Sequence, residues 1–363
     1  MSAVREAMIV AGGAGTRLAP LTDTTPKPLL PLVGVPFLTG MIRRLASVGI
    51  ERVLLVVGPD PAPFAILDED ASAVGVTVEV VPEPSPLDTA GGVRGAIDRV
   101  TGTFLVLNGD VLTGLDLEAL VAQHRDQGAL ATLALTRVDD PSTFGVCVLE
   151  GERIVDFVEK PPPGSLPGHD TVNGGTYVLE PEALVRFPEG ALSFEREVFP
   201  GLVADGAVVG GMVSDAVWAD LGTPERYLHG HRLVLDGEVA WPSVGPGDRR
   251  HLGVDVEVAG SATVREPVWV GPGTRIADEA IVGPYAVLGA GCQVHERAEV
   301  SGAVLHDEVL VERRCRVLGA VIGARARIGE GARVGARAMI GAGFELGPGD
   351  VVLEGDRRPE VAR

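Results

Sequence analysis

The chain has 363 residues, of which 45% are hydrophobic but only 4% aromatic, and its formal net charge is −19. So large an excess of carboxylates argues against nucleic acid or an anionic membrane surface as a partner. Three distant cysteines, Cys147, Cys292 and Cys315, indicate neither a disulfide framework nor a zinc site, and neither a signal peptide nor a membrane span is read, so a soluble cytoplasmic protein is expected.

Up to residue 235, short apolar runs alternate with helix-like stretches. Strands are expected at AMIVA (7–11), RVLLVV (52–57), VTVEVV (76–81), TFLVLN (103–108) and LATLAL (130–135). Helices are expected at FLTGMIRRLASVG (37–49) and DLEALVAQHRDQG (116–128). Such alternation predicts an α/β, Rossmann-like domain with a mostly parallel sheet over residues 1–235. Ligands of such sheets bind beyond the carboxyl ends of the strands. The glycine loop 12–16 directly follows the first strand.

The stretch DGEVAWPSVGPGDRR (236–250) reads as a connector, giving a linker over 236–251. From 252 the period becomes six: Leu252, Val258, Val264, Val270, Ile276, Val282, Leu288, Val294 and Val300. The phase then slips, and a second series runs Val304, Leu310, Arg316, Ile322, Ile328, Val334, Ile340, Leu346, Val352, with Arg316 the one misfit. A six-residue period is neither strand-like nor helix-like, and it marks a hexapeptide-repeat β-helix. A left-handed parallel β-helix is therefore expected over 252–353, with a frayed tail over 354–363.

Residues 11–34 read AGGAGTRLAPLTDTTPKPLLPLVG. A glycine-rich loop after a strand offers backbone N–H groups to phosphate oxygens. Arg17 can fork onto such oxygens. Lys27 lies between prolines that hold its backbone extended. Taken alone, the loop also fits an ordinary strand-to-helix turn with a surface arginine and lysine. It has neither the dinucleotide fingerprint nor the Walker lysine spacing.

The whole string is more specific. It resembles the signature G-G-x-G-T-R-L…P-L-T…P-K-P of the sugar-nucleotidyltransferase, or nucleotide-sugar pyrophosphorylase, family. Similar blocks follow in order: EPSPLDTAGGV (83–93), LNGDV (107–111), FGV (144–146), FVEKP (157–161), VNGGTYVL (172–179) and WADLGTPERYL (218–228). SFEREVFPGLVADG (193–206) and the hexapeptide C-terminal part are most similar to the mannose-1-phosphate guanylyltransferase branch.

The resemblance implies that an NTP and a sugar 1-phosphate give an NDP-sugar and pyrophosphate, with Mg²⁺ as cofactor. Both reactants are anions, so catalysis rests on charge neutralisation and in-line positioning. Arg17 and Lys27 are implied to neutralise the triphosphate, and Lys160 to hold the sugar phosphate. Asp110 and Asp220 are implied as Mg²⁺ ligands, a hard ion suited to one or two carboxylates plus substrate oxygens. Ala11, Gly12, Gly13, Gly15, Thr16, Glu83, Asp88 and Thr89 are implied around the nucleotide, and Gly145, Glu159 and Asn173 around the sugar. Asp110 also reads as a turn residue, Asp220 as a helix N-terminal residue, Glu159–Lys160 as a surface charge pair, Asn173 as a turn residue, and Glu83 as a solvated loop residue.

GTP is favoured, because a carboxylate at Glu83 can accept from both N1–H and N2–H of guanine. Two departures leave other NTPs and acceptors open, among them glucose 1-phosphate and a heptose or cyclitol phosphate. Asp88 stands where the family has glycine, and Gly174–Gly175 replaces Ala-Gly, which is expected to enlarge the sugar pocket slightly. A homo-oligomer is expected from flat β-helix faces. Competing readings are a non-catalytic regulatory paralogue and a bifunctional acyltransferase using His295 and His306 as bases.

Overall fold

The structure, a computed structural model, describes residues 4–13 and 15–359. Two compact units are present, one of Met1–Gly13 with Met41–Trp218 and one of Ala14–Gly40 with Ala219–Arg363. The first unit holds a nine-stranded sheet among the described residues. Its strands are β1 Glu6–Val10, β2 Arg52–Val57, β3 Thr77–Pro82, β4 Phe104–Asn108, β5 Ala131–Arg137, β6 Gly145–Glu150, β7 Arg153–Glu159, β8 Thr171–Leu179 and β9 Val209–Val213. Their spatial order is β3-β2-β1-β4-β8-β5-β9-β7-β6.

The block β3-β2-β1-β4 is parallel throughout. Parallel strands are covered on both faces and so read as unbroken apolar runs. Val53–Val57 and Ala7–Ile9 are fully buried accordingly. Beyond β4 the sheet is mixed. Strand β8 runs antiparallel to β4 and β5, and β7 antiparallel to β9 and β6, while β9 is parallel to β5. The expected helices form at α1 Phe37–Ser47 and α2 Leu117–Gln127. Asp116 caps α2 by accepting from the Ala119 N–H at 2.9 Å. Gly128, in the left-handed region, ends it.

In the second unit, among the described residues, three parallel sheets of seven, six and six strands stack as the coils of a β-helix. Its core is a column of Val270, Ile276, Val282, Leu288, Val294 and Val300, continued by Leu305, Val311, Val317, Ile322, Ile328, Val334 and Ile340. The inward series therefore differs from the expected one between the slips. It is Leu305, Val311 and Val317 that point inward, not Val304, Leu310 and Arg316, and Arg316 is exposed. Strand partners lie 18 residues apart early on (Ile281↔Glu299), 17 apart in the middle (Val287↔Val304, Arg316↔Arg333) and 18 apart again (Val321↔Met339). Two corners have each lost one residue, at Ser301-Gly302-Ala303 and Leu318-Gly319-Ala320, so the misfit of Arg316 was a register error. Part of the expected tail is also built in, because Arg357–Arg358 pair in parallel with Met339–Ile340. Residues 360–363 lie outside the described residues.

The stretch expected as a connector is fastened within the second unit. The indole N–H of Trp241 donates to Leu32 O at 2.8 Å, and its ring stacks on Phe37 with centroids 5.6 Å apart. Ser243 donates to Val33 O, and Trp269 donates to Ser243 O at 3.2 Å. The two indoles fill the space that side chains at Gly40 and Gly34 would need. Large aromatics bury much apolar area, and here the two glycines leave room for the rings to pack directly on the backbone. The loop 15–36 is thereby packed on the β-helix side of its unit.

Candidate active site

In the first unit, the carboxyl ends of the parallel strands carry a cluster of the expected residues. Val10 is in register with Asn108, and the Gly109 N–H donates to Val10 O at 2.8 Å. This sets Gly12–Gly13 and Asp110 just beyond neighbouring strand ends. Ala11 is held by its N–H to Val56 O at 2.7 Å. Glu83 follows β3 and is anchored by its N–H to Val57 O at 2.8 Å.

Glu83 is not a solvated loop residue. It is only 8% exposed, and its Oε1 is buried with no hydrogen-bond partner. A Cβ at Gly12 would stand 3.0 Å from its Oε2, and one at Gly92 would collide with Oε1. Burial pushes its carboxyl above the usual range, opposed by a backbone hydrogen bond at Leu87. Such a group is costly to leave unpaired.

Asp88 has φ of 63°, which explains why glycine suits this position. One carboxylate oxygen accepts from the Thr89 N–H at 2.8 Å and the other pairs with Arg196. Thr89 Oγ1 donates to Glu195 at 2.6 Å and accepts from the Phe194 N–H at 3.0 Å. The SFEREV segment is thus the scaffold of the 86–90 loop, a role that motif matching did not assign.

At the other end of the sheet, Glu159 pairs across strands with Gly145. Its Oε1 lies 2.8 Å from Lys160 Nζ, while its Oε2 is buried without a hydrogen-bond partner. Lys160 is exposed, at φ 46°. Asn173 donates to the Tyr177 hydroxyl at 2.8 Å and accepts from the Gly175 N–H at 2.9 Å. The Gly174 expectation needs correcting. A Cβ there would meet Ala134 O at 2.9 Å, so the missing methyl relieves backbone packing rather than widening a sugar pocket.

In the second unit, Gly15 adopts φ 64° and opens the short turn Thr16–Leu18. A Cβ on Gly15 would press on Lys27 Cβ at 2.8 Å. Lys27 Nζ lies 4.0 Å from Asp220 Oδ1, and Arg226 holds Asp220 Oδ2 at 2.7 Å. Asp220 Oδ1 is buried and accepts no hydrogen bond. Gly222, absent from the sequence-derived set, lets two charges approach: its Cβ would stand 2.6 Å from both Arg17 Nη2 and Asp220 Oδ1. The unit thus gathers Arg17, Lys27 and Asp220, leaving one hard, unsatisfied carboxylate oxygen facing cations.

Beneath the loop, His231 Nδ1 accepts from the Val33 N–H at 3.2 Å. The Tyr227 hydroxyl donates to Pro31 O and lies 3.4 Å from His306 Nε2. Burial pushes His231 down to about 3, with His306 adding to the effect, and His306 itself down to about 4. His306 is 8% exposed and part of this packing.

A β-sheet whose strand ends carry a glycine loop and carboxylates, joined to a hexapeptide β-helix, defines an α/β sugar-nucleotide-type transferase architecture. The model of the family described as Nucleotidyl transferase matches residues 6–237, and that of the EIF2B subunit epsilon LbH domain matches 249–352. The chain belongs to the nucleotidyl transferase family, and it is a sugar-1-phosphate nucleotidyltransferase with a left-handed β-helix at its C-terminal side. It is 40% identical over 315 residues to a mannose-1-phosphate guanylyltransferase of Mycobacterium tuberculosis, covering 85% of this chain and 82% of that protein. A probable mannose-1-phosphate guanylyltransferase 3 of Oryza sativa subsp. japonica is 32% identical, covering 90% and 88%. Among solved structures, HddC from Yersinia pseudotuberculosis complexed with GMP-PN matches with TM-score 0.54 and 26% identity, covering 64% of this chain and all of that one. Among the described residues, no helix is long and apolar enough to cross a membrane.

Proposed function

We propose that this chain transfers a guanylyl group from GTP to mannose 1-phosphate, forming GDP-mannose and pyrophosphate. The observation that carries the guanine assignment is Glu83, a buried carboxylate whose Oε1 lacks a donor. Guanine offers two adjacent donors, and adenine offers an acceptor on the same edge. The names of the relatives and the GMP-PN complex of the HddC structure support the same reading.

The chemistry follows from the residues. A phosphate oxygen of the sugar 1-phosphate attacks the α-phosphorus. A new P–O bond forms as the bond to the bridging oxygen of the β-phosphate breaks, and pyrophosphate leaves with that electron pair. No covalent enzyme intermediate is needed. Arg17 and Lys27 neutralise the triphosphate and the departing charge, with the backbone of Ala11, Gly12, Gly13, Gly15 and Thr16 lining it. Lys160 binds the sugar phosphate, and Glu159, Asn173 and the Gly145 backbone bind sugar hydroxyls. Asp88 and Thr89 shape the base loop.

Asp110 and Asp220 are proposed to hold Mg²⁺ together with phosphate oxygens. Asp220 Oδ1, which accepts no hydrogen bond, suits a hard cation with oxygen ligands. When bound, the ion withdraws charge from the α-phosphate and the leaving group.

A cytoplasmic setting and assembly of several copies belong to the same proposal. So do the boundaries 1–235 and 252–353, supported by matches over 6–237 and 249–352. Pyrophosphate release from GTP and mannose 1-phosphate in Mg²⁺ tests the reading. An absence of release from this pair, with another sugar 1-phosphate turned over readily, would replace mannose as the acceptor.

A further inference from the structure

We infer that Arg357, on the last described coil of the β-helix, is a positioning residue for the loop that carries Arg17. The inference rests on the role proposed for Arg17. Arg357 Nη2 donates to the carbonyl oxygen of Arg17 at 2.8 Å, and Nη1 donates to that of Ala19. One guanidinium therefore spans two carbonyls of the signature loop. Charge-assisted hydrogen bonds of this kind are the stronger sort, and the planar fork fixes direction as well as distance.

Among the described residues, the loop's own ties are short-range turns. Leu18 N–H donates to Gly15 O at 2.9 Å, and Thr22 Oγ1 donates to the same oxygen at 3.1 Å. Arg357, by contrast, is rooted in a rigid element. Its strand is laced to the coil before it by Met339 N–H to Asp356 O at 2.9 Å and Gly341 N–H to Arg358 O at 2.7 Å. One coil earlier on the β-helix, Arg337 reaches Glu225 at 3.6 Å, in the first turn of the helix Pro224–Leu235 that follows Asp220. The two terminal coils thus touch the backbone of Arg17 on one side and the segment after Asp220 on the other.

The consequence is mechanistic. Fixing the Arg17 carbonyl limits the directions in which its side chain can leave the loop, so the guanidinium meets the triphosphate with less ordering to do. This gives the β-helix a share in nucleotide binding beyond assembly.

The test is a steady-state comparison on the full chain. Arg357→Ala should raise KM for the NTP by roughly 5- to 20-fold, the loss expected of two charge-assisted hydrogen bonds at an exposed site. KM for the sugar 1-phosphate and the melting temperature should stay unchanged. Arg357→Lys, which keeps the charge but not the fork, should recover part of the loss. Arg358→Ala, whose side chain pairs with Asp356, is the neighbouring control and should change neither KM. In a double-mutant cycle, adding Arg357→Ala to Arg17→Ala should cost little further. NTP kinetics of Arg357→Ala within twofold of wild type, with Arg17→Ala impaired, would overturn the positioning role and leave the site reading intact. Near-wild-type activity of Arg17→Ala would overturn both.

Discussion

Lys27 Nζ stands 4.0 Å from Asp220 Oδ1, an oxygen that is buried and accepts no hydrogen bond. A cation beside a carboxylate with a spare lone pair is an arrangement in which a metal ion and phosphate oxygens can each find a partner. If Asp220 and Asp110 hold Mg²⁺, Asp220→Asn and Asp110→Asn should each lower kcat/KM by roughly 10²-fold or more, as loss of a charge-stabilising group does. Both should also shift the Mg²⁺ dependence of pyrophosphate release to higher concentration. Full activity of either variant in excess chelator would refute the assignment.

Gly222→Ala is predicted to be more harmful than a surface glycine change. The new methyl would stand 2.6 Å from both Arg17 Nη2 and Asp220 Oδ1, so one of the two side chains must move. Activity should fall roughly tenfold or more, since small misplacements of charged groups cost that much. Thermal denaturation should be within a few degrees of wild type. Unaltered kinetics would show that Arg17 and Asp220 need not be adjacent during turnover.

The register of the β-helix can be tested by a pair of neighbours. Val317 is fully buried and Arg316 is exposed, with a surface pair to Glu299 at 2.9 Å. Val317→Ala should cost about 1–3 kcal/mol of stability, and Arg316→Ala less than about 1 kcal/mol. Chemical denaturation of both variants checks this. The reverse ranking would restore the series Val304, Leu310, Arg316.

The buried imidazoles predict an acid weakness. His231, at about 3, and His306, at about 4, lie below their ordinary value of 6.5. Folded, they resist protonation, whereas the unfolded chain takes up protons below about pH 6.5. Their contribution is therefore complete above that pH and is lost as pH falls towards about 4. Each adds a slope of about 1.4 kcal/mol per pH unit within that window. Carboxylates held low by arginine, such as Glu312 and Glu279, weaken stability in the same direction at lower pH. His306→Gln should flatten the fall in melting temperature between pH 7 and pH 5, and an unchanged slope would exclude His306 as a contributor.

The legible parts of the fold were those with a local physical cause. Strands β1, β2, β4 and β5 stood out because burial on both faces, or nearly so, leaves unbroken apolar runs, as at Val53–Val57, whereas the edge strand β3 is only partly buried and was marked by its β-branched residues. The hexapeptide period stood out because each coil repeats one inward residue. Strands β6 to β9 did not. They pair largely antiparallel, and β8 shifts register between Asn173 and Tyr177, so neither a long run nor a clean alternation marks them. The slip at Gly302 is legible but its size is not, and the corner at Gly319 is hidden, because a one-residue deletion moves an apolar series by one step and leaves apolar residues at both Val304 and Leu305. At the site, motif resemblance named Arg17, Lys27, Glu83 and Asp220, but not the groups that hold them. Arg357 and Arg17 are 340 residues apart, and no spacing rule connects them. Gly222 matters only because two charges meet over it.

Under the proposed function, Glu83 reads guanine. The most direct measurement is kcat/KM for GTP, ATP, dTTP and UTP with mannose 1-phosphate, for the wild type and for Glu83→Gln. The wild type should prefer GTP by a few kcal/mol, roughly 10²-fold or more, because a wrong base leaves the buried carboxylate unpaired. Glu83→Gln should erode that preference and raise the relative use of dTTP or UTP. A wild-type preference for ATP or a pyrimidine nucleotide, or a GTP preference untouched by Glu83→Gln, would contradict the account.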